Sequence, residues 1–355
     1  MKRRTFIRNS AAGSLAMTMP VIPGFLSESP ELRFGVAEAG YHLRWYGKND
    51  SKVYPPFGNA LDMIDHCHSI GFGGVQVNVR NWDKQMVKEI QARQDKLNVF
   101  VEGQLRMPKD DGDLLRFEKE IEVAKEAGVD IFRAVCLSGR RYEDFRTLEE
   151  FRTFREASVA AIQRAEPVVR KHKVKLALEN HKDWQTGEMI EILELVGSEW
   201  VGVTLDTGNN ISLLEDPMEV VSSLAPYTFS VHLKDMGVEE YEDGFLLSEV
   251  NLGDGYLDIK GMIAAIKNKN PDVRFNLEMI TRDPLKIPCL TEAYWATFEQ
   301  RPAVELASYL HGIKKHKSKE ALPRTSGQAE DVQLALEVEN NRSSLMYAKE
   351  HYGFI

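Results

Sequence analysis

Eight short β-rich runs, each followed by a helical pattern, limit what this chain can fold into more than any other feature. The first four are "LRFGVAE" (32–38), "GGVQVNV" (73–79), "NVFVEGQL" (98–105) and "IFRAVCL" (131–137). The second four are "VKLALENH" (174–181), "WVGVTLDT" (200–207), "FSVHLKD" (229–235) and "RFNLEMI" (274–280). Amphipathic patterns such as "NALDMIDHCHSIG" and "LRFEKEIEVAKEAG" separate them, and several end in Gly, as helix C-termini do. Eight alternations predict an α/β fold, a (β/α)8 TIM barrel over residues 28–300. A doubly wound sheet is the runner-up, and it fits the strand count and the polar positions less well.

The flanks carry their own signals. "MKRRTFIRNSAAGSLAMTMPVIPGFLSESP" has a basic start, a modest apolar run and then prolines and small residues. Residues 1–27 are therefore expected to be a secretory signal, and "RRTFIR" resembles the twin-arginine type, so the mature protein is expected in the periplasm. No later stretch supplies the ~20 apolar residues that span a bilayer. Past the eighth run, "TRDPLKIPCLTEAYWATF" reads as a long loop, followed by a helix from about Pro302, a polar connector and a final helix at about 331–349. This C-terminal extension, 301–355, is expected to pack on the barrel or on a neighbouring subunit of a homo-oligomer. The net charge of −9 includes four cations within the first eight residues, so the body is more acidic still. That argues against a surface that coats nucleic acid. Cys67, Cys136 and Cys289 show no metal-finger or redox spacing and read as structural thiols.

Strand parity locates the chemistry. In "VKLALENH", Val174, Leu176 and Leu178 form the bulky set, opposite Lys175, Ala177, Glu179 and His181. The later strands repeat this, with Asp206, His232 and Glu278 on the small-or-polar parity that points into a barrel. All four lie toward the strand ends where barrel active sites form. Three carboxylates converging there repel and resist ionisation unless compensated. One divalent cation removes the conflict, and three oxygen ligands with one imidazole suit Mn2+, Mg2+, Co2+ or Zn2+.

These residues also carry a resemblance. "LALENH", "VGVTLDTGN", "SVHLKD", "NLGDGYLDI" and "FNLEM" resemble the xylose isomerase-like barrels, the sugar isomerase/epimerase superfamily, over roughly residues 32–280. The resemblance implies that Glu179, Asp206, His232 and Glu278 hold a single metal, and that Glu179 and Glu278 also move protons on opposite faces of a carbohydrate substrate. "DTGN" departs from the commoner D-T-G-H, which leaves Asn209 where many members place a histidine. The extra histidines of the trinuclear endonucleases are not evident.

The expected activity is therefore a metal-dependent sugar isomerase or epimerase acting on a ketose or keto-sugar through an enediolate. The alternative is a lyase or hydratase on 3-keto-glycosides using the same site, and a third class is a non-catalytic sugar-binding barrel. His181, Asn209, Lys234, Asp235, Arg282 and Glu102 are candidates to contact substrate. Trp184, Tyr294 and Trp295 suit either sugar stacking or core packing, and His42, Trp45 and Tyr46 follow the first strand at the pocket rim.

Overall fold

The computed structural model describes residues 32–299 and 301–355; the expected signal segment lies outside the described residues. All eight expected barrel strands form. In chain order the strands are β1 (Phe34–Ala37), β2 (Gly74–Asn78), β3 (Phe100–Gln104), β4 (Ile131–Ala134), β5 (Lys175–Glu179), β6 (Val201–Asp206) and β7 (Thr228–Leu233). They continue with β8 (Asp235–Tyr241), β9 (Gly244–Val250), β10 (Arg274–Leu277) and β11 (Leu285–Ile287). Strands β1 to β7 and β10 close a parallel barrel in which β10 pairs with both β7 and β1.

Parity behaves as read from the sequence: Leu176, Leu178, Val203, Leu205, Val231, Leu233, Phe275 and Leu277 are buried in the main hydrophobic core. Helix ends obey local chemistry too. Thr147 and Glu150 form a reciprocal capping box before the helix Leu148–His172, and Gly71 ends the helix Ala60–Ile70 at φ 103°. A register irregularity between Val203 and Thr204 brings Asp206 level with His232 on β7.

Two regions differ from expectation. A β-hairpin, β8–β9, rises from the end of β7, and β11 adds a third antiparallel strand. Its turn is Glu242–Asp243, and Gly244 follows at φ 152°, where an added Cβ would meet the Ile287 carbonyl at 2.2 Å. This sheet and the helix Ala303–Lys315 share a second apolar core built on Val238, Phe245, Leu247, Ile287, Tyr294 and Ile313. The stretch expected as a plain loop therefore contributes a strand.

The final helix, Glu330–Tyr352, is longer than expected and takes the place of the barrel's eighth helix. Phe354 beyond it stacks on Phe34 at 4.4 Å and meets Phe275, which closes the β1–β10 seam. Residues Leu32–Ile355 form one compact unit. Among the described residues no helix is long and apolar enough to cross a membrane.

Candidate metal centre

Glu179 ends β5, Asp206 ends β6, His232 lies near the end of β7, and Glu278 follows β10. The barrel brings one ligand atom from each within 4.8 Å of all the others, with no residue more than 3% exposed. His232 Nδ1 lies 3.2 Å from Glu278 Oε1, 3.5 Å from Glu179 Oε2 and 4.0 Å from Asp206 Oδ2.

The imidazole is oriented from below. Glu102 Oε2 accepts from Gln76 Nε2 (3.0 Å), Ser230 Oγ (2.7 Å) and Asn276 Nδ2 (2.9 Å). With its amide nitrogen committed there, Gln76 turns Oε1 toward His232 Nε2 at 2.7 Å. Nε2–H is then the donor, and the Nδ1 lone pair faces the three carboxylates. Glu102 thus supports the metal layer from the barrel interior, 0% exposed, and is not at the mouth where a substrate contact was expected.

The residues fit a divalent cation. Among the described residues His232 Nδ1 and Asp206 Oδ2 are both buried without a hydrogen-bond partner, and they lie 4.0 Å apart. Asp206 Oδ1 is spent on the backbone N–H groups of Gly208 (2.9 Å) and Asn209 (2.7 Å), which leaves Oδ2 as the free donor atom. Gly208 is needed here, because a Cβ would sit 2.7 Å from Met236 Sδ. Lys234 Nζ stands 3.0 Å from Asp206 Oδ2, but its direction makes an ion contact and not a hydrogen bond.

The charges are interleaved. Arg133 donates Nε to Glu179 Oε2 at 2.5 Å, while Asn209 Nδ2 donates to Oε1 at 2.9 Å. Lys234 Nζ pairs with Glu278 Oε2 at 2.5 Å. Burial opposes ionisation of Glu179 and Glu278, but the surrounding cations together outweigh it, Arg133 with His232 at the first and Lys234 with His232 and Arg133 at the second, and hold both carboxyls well below the usual range. Burial dominates at Asp206 and raises it to about 6 despite Lys234. Burial also works against charging His232, yet Glu278 and Glu179 hold it up to about 10 while no cation screens them.

The other expected contacts divide into two groups. Asn209, Lys234 and Arg282 belong to the cluster, and Arg282 Nη2 donates to Glu249 Oε1 at 2.6 Å. His181 adjoins Glu179, with Nδ1 bonded to the Leu137 carbonyl at 3.0 Å and burial lowering it to about 3, so the ring is neutral. Asp235 has a different task from the one expected: its carboxylate accepts from the backbone N–H groups of Met236, Gly253, Gly255 and Leu257 and shapes that loop. Trp184 stacks on Phe154, and Tyr294 donates to the Ser212 carbonyl, so both pack the interior. Trp295 likewise packs against the second core. Trp45 and Tyr46, with Glu38, Asn78, Arg80 and Trp82, line a cavity of about 370 Å³ beside β1 and β2, and His42 faces Glu337 at 3.5 Å.

Four site residues escaped the sequence reading. Gln76 and Arg133 carry the inward parity on β2 and β4 and could have been found by it. Glu249 arrives on the unforeseen hairpin, and Lys182 depends on a loop residue at φ 65°.

Comparison with known proteins fixes the family. The xylose isomerase-like TIM barrel description matches residues 64–300. The chain belongs to that family. A curated relative, 3-oxo-isoapionate decarboxylase of Pectobacterium atrosepticum, is 27% identical over 114 residues, which are 32% of this chain and 42% of that protein. Thus the match spans under half of the relative's length. Among solved structures, D-psicose 3-epimerase with D-fructose aligns over 90% of this chain and 98% of its own, at TM-score 0.55 and 12% identity. A xylose isomerase-like barrel protein from Mycobacterium smegmatis, in complex with magnesium, aligns over 79% and 98% at TM-score 0.52 and 14% identity. Identities this low speak to the fold alone.

Proposed function

We propose that this chain is a divalent-metal-dependent enzyme that isomerises or epimerises a ketose or keto-sugar, with Glu179 and Glu278 as its acid/base pair. One observation carries the reading: two glutamates from β5 and the end of β10, three positions apart around the barrel, approach the same imidazole nitrogen from two sides. A binding protein for neutral sugar has no use for that arrangement. Family membership and the fold shared with D-psicose 3-epimerase support it.

When bound, the cation supplies positive charge against the oxygens of an α-hydroxy ketone as the adjacent C–H is lost. The chain supplies the proton transfers. One glutamate takes the proton and later releases it to solvent, while the other, protonated from solvent, delivers a proton to the opposite face of the same carbon or to its neighbour. Arg133 and Asn209 fix both oxygens of Glu179, and Lys234 fixes one oxygen of Glu278, so each base is held without side-chain freedom.

A lyase reading uses the same carbanion, expelling a group β to it, and the match to a keto-acid decarboxylase favours keeping it as the second reading. Export to the periplasm by the twin-arginine segment is part of the proposal, and cell fractionation of the full chain tests it.

The experiment is solvent exchange in D2O, followed by NMR on a panel of ketoses and 3-keto-glycosides with metal-loaded protein. C–H exchange on one substrate, abolished in Glu278→Gln with the fold intact, is expected. Wild-type exchange in that variant removes Glu278 as a base, and no exchange on any member removes the enediolate reading.

A further inference from the structure

The cluster holds more cations than its metal ligands require. Around the site, four carboxylates (Glu179, Asp206, Glu249 and Glu278) meet four cations (Arg133, Lys182, Lys234 and Arg282). Burial works against charge on His181 and His42, and His181 Nδ1 is bonded to the Leu137 carbonyl. The neighbouring carboxylates have their own compensation: Glu102 faces Arg274 at 4.0 Å, and Glu38 accepts from the Asn78 N–H at 2.7 Å with Arg80 nearby. Once a divalent cation is bound, His232 is a neutral ligand and the four carboxylates only balance the four side-chain cations, so the metal leaves two positive charges unmatched in a buried space. Uncompensated charge there is costly, and an anionic ligand removes the cost.

The unmatched cation can be named. Arg133 pairs with Glu179, Lys234 with Asp206 and Glu278, and Arg282 with Glu249. Lys182 is 4% exposed and makes no ion pair among the described residues; its ammonium rests on the Asn209 side-chain oxygen. Its backbone is held at φ 65°, a left-handed conformation that a non-glycine residue enters at a cost. The D-T-G-N departure acquires a physical role here, because Asn209 supplies a neutral oxygen that parks the lysine without neutralising it.

Resting on the keto-sugar reading above, we propose that the natural substrate is a sugar acid, a keto-sugar bearing a carboxylate, and that Lys182 receives that carboxylate. Lys182 leaves Asn209 as the acid enters, and the substrate's negative charge then answers the excess created by the metal.

The test is calorimetric binding to Mn2+-loaded protein. D-Fructuronate and 2-keto-D-gluconate are each compared with D-fructose, which shares their length and ketone but is uncharged. At least one acid is expected to bind tenfold or more tightly than fructose. Lys182→Met should lower affinity for that acid at least tenfold more than for fructose, and Lys182→Arg should restore most of the preference. Metal content and thermal midpoint are recorded for each variant, so a misfolded protein is recognised and Lys182→Arg then carries the comparison. Equal binding of acids and fructose overturns the inference, as does a preference that survives in Lys182→Met. Tight binding of an acid without C–H exchange leaves the inference standing and sinks the isomerase reading. Exchange on fructose with no preference for acids does the reverse.

Discussion

Glu118, Glu122 and His172 on the outer helices satisfy the same proximity as Glu179, Asp206, His232 and Glu278 inside the barrel: in both groups the candidate ligand atoms lie within 4.8 Å. The two are otherwise opposites. On the outside, Glu118 Oε1 is already shared by Lys171 Nζ (2.7 Å) and His172 Nε2 (2.9 Å), and Glu122 stands largely in water. Inside, the imidazole is aimed by Gln76, and two candidate ligand atoms have no hydrogen-bond partner among the described residues. Proximity of acids and a histidine costs a solvated surface little. Burial with unspent lone pairs costs a fold a great deal, and it persists where a ligand repays it.

The largest expected contrast comes from removing a ligand. His232→Ala should fall from about one bound Mn2+ per chain to a trace by mass spectrometry. It should also lose the metal-induced stabilisation, which for wild type is about 2.7 kcal/mol at a hundredfold excess over Kd. Stoichiometric metal retained in His232→Ala would break the contrast. One layer down, Gln76→Leu keeps all four ligands but frees the ring, and metal affinity should weaken by roughly 10–100-fold in calorimetric titration. Unchanged affinity would show that the carboxylates alone orient the imidazole.

Glu337 sharpens the comparison as a buried carboxylate that accepts from the backbone N–H groups of Leu43 (2.6 Å) and Arg44 (3.2 Å) without a hydrogen-bonded cation. Burial raises it to about 7. Between the unfolded value near 4.5 and pH 7 the folded chain keeps a proton that the unfolded chain has lost. Stability therefore falls as pH rises through that window. Glu337→Gln should remove this loss, worth on the order of 1–3 kcal/mol between pH 5 and 8 in urea unfolding. A variant with the wild-type pH dependence would refute it. The smallest effect belongs to the outer cluster: His172→Ala should leave Mn2+ content unchanged and alter stability by less than about 0.5 kcal/mol.

Much of the barrel was legible because a strand buried on both faces writes its parity into the residues themselves. Glu179, Asp206, His232 and Glu278 stand out as ionisable residues on a small-residue parity. Asp235 deceived the reading, because a carboxylate at a strand end has the same letter whether it faces a substrate or four backbone amides. The hairpin was missed although "VEEYEDGFLLSEV" alternates around the Glu242–Asp243 turn with a glycine just after it, since a barrel of eight strands was already complete without it. With it went Glu249, whose role depends on a strand that belongs to no barrel repeat. Lys182 was illegible for another reason: its place depends on a backbone turn that no local pattern announces.

The eighth helix has a consequence for the order of assembly. Glu337 grips Leu43 across 294 residues of chain, and the Ile355 amide bonds the Leu32 carbonyl at 3.1 Å. During synthesis, β1 therefore waits for the Glu330–Tyr352 helix and Phe354 before its outer face is covered. Contacts of such sequence separation form late and slowly. Until Phe354 has left the ribosome, Phe34 and Phe275 lack the ring that covers them, and the nascent barrel carries an open apolar seam.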